Sequence, residues 1–236
     1  AALVGGVWIL KGALLLDATL LIAAVRHAPR GGTFEALVPR GLRPPRAASA
    51  SGRWAVGGLL ALATALRLHA LEIGPWYDEI DTWVHYARAP LGTIATTFDS
   101  QNQHLLYSLC ARLSLAWLGD GVFALRLPAA VFGVLSVGAL WICARRLTTD
   151  REALFAAALL TVSYHHVWFS QNARGYTGLL LFTLLGSAVF LGMLAEREPA
   201  GHARPVLYAL AMALAVATHA TAVLAVVAHF LIWLGL

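Results

Sequence analysis

Three carboxylates, Asp78, Glu79 and Asp81, crowd into the polar stretch Glu72–Tyr107, which holds five of the chain's twelve acidic residues. Inserting one carboxylate at a bilayer centre costs about 2.5–3.5 kcal/mol. The cluster therefore belongs in water at one membrane face. Adjacent Asp78 and Glu79 point about 100° apart on a helix, and to opposite sides of an extended strand. They are not an equivalent pair: one can face a cavity while the other anchors structure. The plainer alternative is a solvated loop with incidental acids. Three more groups could join them. His104 follows Gln101-Asn102-Gln103, where a polar flank of a helix is the commoner role. Arg174 lies in Ser170-Gln171-Asn172-Ala173-Arg174-Gly175-Tyr176, at the end of an apolar span, and asks for an anion such as a lipid phosphate or Asp78/Glu79. His219, in Thr218-His219-Ala220-Thr221, is either a packed histidine or a metal ligand sharing a carboxylate.

The elements that must position these groups are transmembrane helices. The chain is 59% hydrophobic and only 12% charged, with a mean hydropathy of +0.71. Soluble domains carry about 25% charged residues. The expected fold class is all-α, a polytopic bundle with an external loop bearing interfacial helices. The net charge of +5 comes from sixteen Arg and one Lys. In such a protein that excess reports topology, not nucleic-acid binding. Cys110 and Cys143 sit in apolar surroundings and suit packing better than a disulfide or zinc site.

Taken in order, Leu3–Val25 is a possible first span, weakened by Lys11 and Asp17, and it lacks the flanks of a signal peptide. Residues 26–53, with six Arg, four Gly and four Pro, read as a solvated cytoplasmic linker without regular structure. Trp54–Leu71 is a span carrying Arg67 near its polar end, where an Arg either snorkels or faces a site. Asp78–Ala89 has helical character. His104–Leu118 reaches only about 22 Å as a helix, against a core of about 30 Å, so it is expected to lie along the surface. Spans are expected at Val122–Cys143, Ala153–Trp168, Gly175–Ala195, Val206–Ala222 and from Val223 on. Both ends of the chain read as cut from a longer protein. If 104–118 does not cross, residues 26–53, 144–152 and 196–205 share one side and hold eleven of the seventeen basic residues. The charge rule for cytoplasmic loops is then satisfied, and Asp78, Glu79, His104, His165, His166, Arg174 and His219 fall together on the external face.

At this point the motifs resemble a known family. Trp76-Tyr77-Asp78-Glu79 after an Arg-bearing helix resembles the first external loop of polytopic C-fold glycosyltransferases, of the protein O-mannosyltransferase and lipid A sugar-transferase kinds. Asn102-Gln103-His104-Leu105-Leu106-Tyr107 resembles their His-Pro-Pro-Leu-Tyr element, with leucines at the prolines. Leu125-Arg126-Leu127-Pro128, Arg145-Arg146-Leu147, Trp168 to Tyr176 and Thr218-His219 follow in order. The likeness covers roughly residues 54–236, as the N-terminal part of such a membrane domain. It implies an inverting hexosyl- or pentosyltransferase that moves a sugar from a polyprenyl-phosphate donor to a glycan, lipid or protein acceptor. The enzyme would be multi-pass in a bacterial plasma membrane, among membrane lipids, with its site outside. Asp78 would be general base and Glu79 its catalytic neighbour. Arg174, His104, Arg67 and Tyr176 would bind the donor phosphate. A divalent metal on His219 and Glu79 stays open, with no other cofactor implied. The runner-up is a flippase for lipid-linked sugars, which would want charges near the midplane. A non-catalytic scaffold would need no convergence of acid, His and Arg.

Overall fold

The computed structural model describes residues 47–98, 100–195 and 203–235. The possible span at Leu3–Val25, most of the 26–53 linker and the loop 196–202 lie outside the described residues. Within them the chain is helical throughout and contains no strand.

Helix α1 is Ala50–Leu68. It begins four residues earlier than its apolar run, because Ser49 Oγ accepts from the Gly52 N–H at 3.0 Å. That N-cap satisfies a donor no earlier turn could reach, so the end of the expected linker is already helix. After α1 the chain turns through Ala70, which sits at φ 61°. The acidic stretch folds as α2, Tyr77–Asp81, and runs on as a π-helical turn, Thr82–Ala87. A short α3, Leu91–Thr96, follows where Pro90-Leu91-Gly92 would suggest only a stop; Pro90 stands at its N-cap, where a missing N–H costs nothing.

Helix α4 is Leu105–Leu118 and ends at Gly119, whose φ of 95° suits a residue without Cβ. Helix α5, Val122–Ala144, is the central element. It packs against α1, α4, α6 (Asp150–Val162), α7 (Tyr164–Ser170) and α8 (Tyr176–Ala195). Its inward face is largely small: Ala129, Ala130, Gly133, Ser136 and Ala139 are all buried. Small faces let backbones approach where lipid supplies no hydrophobic drive between helices. Gly133 shows how close: a Cβ there would sit 2.1 Å from Ser170 Oγ. Helices α9 (Ala203–Thr218) and α10 (Val223–Leu234) complete the order, joined by the 3-10 turn Ala220–Ala222.

Among the described residues two helices, α5 and α8, are by themselves long and apolar enough to cross a membrane. The expected span over 153–168 is a pair of helices, α6 and α7, that are apolar enough together to make one broken span and are bent by 60° at Ser163. α9 and α10 are apolar but short. Cys110 and Cys143 are unpaired.

Both flanks of helix α4 are tied to neighbouring elements. At its start, His104 contacts the Thr218 carbonyl, beside Arg174. Past its finish, Arg126, in the second turn of α5, binds Glu79, which in turn binds Ala173. Tyr107, Ala111 and Leu115 of α4 pack on Ala124, Leu125 and Ala129 of α5. Outside, Trp83 and Arg88 both bond to Asp120 in the α4–α5 turn. The helix is therefore packed against the first turns of α5.

Candidate functional site

The bundle end is organised by a buried ion pair. Glu79 is fully buried and Arg126 is 5% exposed. Arg126 Nε donates to Glu79 Oε1 at 2.8 Å and Nη2 to Oε2 at 2.6 Å. This bidentate geometry is the strongest form of the contact. The remaining capacity is also used. Glu79 accepts from the Ala173 N–H at 2.6 Å and, as the third residue of α2, from the Trp76 N–H at 3.2 Å. Arg126 Nη1 donates to the Leu71 and Ile73 carbonyls at 3.0 and 2.6 Å. The left-handed turn at Ala70 leads the chain into this arrangement, with carbonyls facing the guanidinium. One pair thus fixes the α1–α2 loop, α2, α5 and the segment before Arg174.

That saturation separates the two neighbouring acids. Glu79 holds structure, with every oxygen engaged. Asp78 is exposed, and its side chain has no partner among the described residues. Its backbone carbonyl accepts from Thr82 Oγ1 and Asn102 Nδ2. The third acid, Asp81, bonds to His85 Nδ1 at 2.7 Å and to Asn102.

Beside this anchor sits an unpaired cation. Arg174 is 8% exposed, and its Nε and Nη1 are buried with no hydrogen-bond partner among the described residues. Its guanidinium lies 5.7 Å from the Tyr176 ring centroid. His104 and His219 face each other at 5.0 Å, and each ring also meets Tyr176, at 5.5 and 5.4 Å. His104 Nδ1 lies 3.1 Å from the Thr218 carbonyl. A carbonyl only accepts, so Nδ1 carries the proton and Nε2 holds a lone pair; Nε2 is buried and unpartnered. Burial first, and the charge of Arg174 second, hold the His104 pKa down at about 3. Burial lowers His219 as well, with Arg174 adding to it. Both rings are therefore held toward the neutral form, chiefly by burial and secondarily by the neighbouring cation. Gly175 makes the cluster possible: a Cβ there would fall 2.5 Å from the Thr218 carbonyl oxygen.

Of the expected phosphate ligands, the structure brings Arg174, His104 and Tyr176 together and puts Arg67 elsewhere. Arg67 is fully buried. It donates to the carbonyls of Leu160 and Thr161, both at 3.3 Å, and to His166 Nδ1 at 2.7 Å. Those carbonyls are freed where α6 breaks at Ser163, so Arg67 caps the bend. His166 goes with it and does not join His104 and His219. The expected metal pair loses its carboxylate, since both Glu79 oxygens face the Arg126 guanidinium. His219 Nδ1 is taken by the Thr221 N–H at 3.2 Å. Among the described residues no three His, Cys, Asp or Glu side chains gather as a metal site.

Sequence reasoning passed over Arg126 as a participant. Its signal was an Arg inside an apolar span with no acid on its own helix, since such a residue needs a partner from another element. An uninterrupted row of ring contacts also emerged only in three dimensions. It runs Trp76 to Trp168 (5.6 Å), Trp168 to Phe169 (4.9 Å) and Phe169 to Tyr176 (4.8 Å).

Residues 102–235, more than half of the chain, match the sequence profile of a family described as dolichyl-phosphate-mannose-protein mannosyltransferase. The match includes His104, Arg126, Arg174, Tyr176 and His219; Arg67, Asp78 and Glu79 precede it. No curated protein and no solved structure matches the chain.

Proposed function

The chain belongs to the dolichyl-phosphate-mannose-protein mannosyltransferase family, and from that premise we propose that Arg174 receives the phosphate of a polyprenyl-phosphate sugar while Asp78 activates the acceptor. The family and the two spanning helices make it an integral membrane glycosyltransferase. The observation that carries the finer reading is Arg174 itself, a buried cation with two idle donors. Burying a charge costs several kcal/mol per ion, and an incoming anion offsets that cost.

The reaction balances with these groups. The acceptor oxygen bonds to the anomeric carbon, and its proton passes to Asp78. The bond from that carbon to the phosphate oxygen breaks, leaving its electron pair on the phosphate. Arg174 is already in place where this negative charge grows. One displacement inverts the anomeric centre. Exposed Asp78 is reachable by an acceptor from water, whereas Glu79, two-sidedly engaged, holds the segment that carries Arg174. The bundle end bearing Asp78 and Arg174 would face outward from the cytoplasm, because the basic loops favour the other side.

The test uses the protein in its membrane with labelled polyprenyl-phosphate mannose. Arg174→Ala should weaken donor use far more than acceptor use, and equal loss for both would indicate a folding role instead. Asp78→Asn should abolish transfer with membrane insertion intact; near-normal turnover removes Asp78 as base. Sugar that crosses the bilayer without joining an acceptor would favour the flippase.

A further inference from the structure

Next to the anchor pair is a cavity of about 220 Å³ that the steps above leave unused. It is lined by Trp76, Trp168, Gln171, Asn172 and the Glu79–Arg126 pair. Two features describe what it can hold. The first is aromatic. The Trp76 and Trp168 rings stand at 84° to each other, forming a corner, and the residues are 55% and 36% exposed. Such large apolar faces at a polar end of the molecule offer contact area to something amphipathic.

The second is the state of the two amides. Gln171 Nε2 donates to the Leu66 and His69 carbonyls at 3.0 and 2.6 Å. Asn172 Nδ2 donates to the Trp168 carbonyl at 2.6 Å. Carbonyls only accept, so both amide orientations are fixed with nitrogen on the backbone. Each amide oxygen is left without a partner among the described residues, and neither is sealed from solvent. Arg126 is spent on Glu79 and three carbonyls. The cavity therefore offers aromatic faces, two free amide oxygens as acceptors and the indole N–H groups of Trp76 and Trp168 as donors. An ionised phosphate, which only accepts, finds no free cation in this lining and is repelled by the two amide oxygens. A ring carrying several hydroxyl donors on one side and C–H bonds on the other is well matched.

We propose that this cavity binds a monosaccharide ring, packed in the Trp76/Trp168 corner and hydrogen-bonded through its hydroxyls to the carbonyl oxygens of Gln171 and Asn172. Its position suits a site next to the phosphate. Asn172 is two residues from Arg174, and the Glu79 carboxylate in its lining holds the Ala173 N–H. Whose sugar it holds, donor's or acceptor's, rests on the transferase reading; that it holds a sugar does not. Sites built to accept from hydroxyls discriminate strongly against analogues lacking them, so these two amides also become the specificity-determining groups.

The probe is methyl α-D-mannopyranoside, observed by saturation-transfer difference NMR on the full chain in detergent. Saturation should reach the sugar in the parent protein and fall at least fivefold in Trp76→Ala and in Trp168→Ala. Trp76→Ala keeps the backbone N–H that Glu79 uses, and the ring it removes is more than half exposed. Far-ultraviolet circular dichroism checks that both variants keep the parent's helicity. No saturation in the parent, or equal saturation in parent and both variants, overturns the proposal. Two competitors identify the source. Loss of the signal with polyprenyl-phosphate mannose but not with sugar-free polyprenyl phosphate assigns the site to the donor's sugar. A signal that survives both assigns it to an acceptor's sugar, and either result sustains the site. If Arg174→Ala leaves donor use intact while the Trp variants lose the sugar, the phosphate reading fails and this site stands. The opposite pattern removes this site alone.

Discussion

Replacing Glu79 by Gln tests the frame on which every functional residue depends. The side chain keeps its shape, but its charge and one of its two carboxylate oxygens are gone. Arg126, 5% exposed, then keeps the Leu71, Ile73 and Gly74 carbonyls but no counter-charge. Removing one partner of a buried pair costs about 3–5 kcal/mol, most of it the uncompensated charge. The three retained carbonyls place this case at the low end, about 3 kcal/mol, or roughly a hundredfold in the folded-to-unfolded ratio. Arg126→Met should cost a similar amount by stranding Glu79. The double variant strands neither charge, so it should cost clearly less than the two singles summed. Reversible unfolding in mixed micelles measures all four proteins. Hydrogen exchange at the Ala173 amide, which Glu79 holds at 2.6 Å, should quicken in Glu79→Gln. Single variants each costing under about 1 kcal/mol, or costs that simply add, would refute the pair as the keystone of this end of the bundle.

Three further outcomes follow from local geometry. Ala70 sits at φ 61°, where a residue with Cβ pays about 1–2 kcal/mol; Ala70→Gly should raise stability by up to about 1 kcal/mol after the entropy glycine loses on folding, read as a higher melting temperature. Gly175→Ala places a Cβ 2.5 Å from the Thr218 carbonyl oxygen and 3.1 Å from His104 Cβ; it should cost about 1–3 kcal/mol and impair donor use, whereas Gly57→Ala, with open space around it, should do neither. His104 titrates at about 3 when folded against 6.5 when free, so the unfolded chain binds the extra proton first. Its share of stability is complete above pH 6.5 and drains away as the pH falls from 6.5 toward 3. Melting temperatures of the parent should therefore drop more steeply over that window than those of His104→Asn, and parallel curves would contradict the buried neutral ring.

Much was legible in the chain itself. Apolar runs and their length define α5, α8 and the short α4, since the thickness of the hydrocarbon core filters helices by length and composition alone. The acidic cluster had to sit at one polar end, and Arg174 at the end of an apolar span had to want an anion, because charge is expensive in lipid wherever the fold puts it. Other features were not readable. Nothing local to Glu79 says that it, and not Asp78, turns inward; the choice is made by Arg126, 47 residues away in the sequence. Likewise Arg67 is drawn from the phosphate cluster to the bend at Ser163 because two carbonyls freed 93 and 94 residues later need a donor. Partners for buried charges are settled by how helices rotate against one another. In this bundle Gly133 leaves room for the Ser170 and Arg67 side chains, and Gly175 lets the Thr218 backbone come close. Spacing along a chain reports which groups need a partner, and only packing decides which partner arrives.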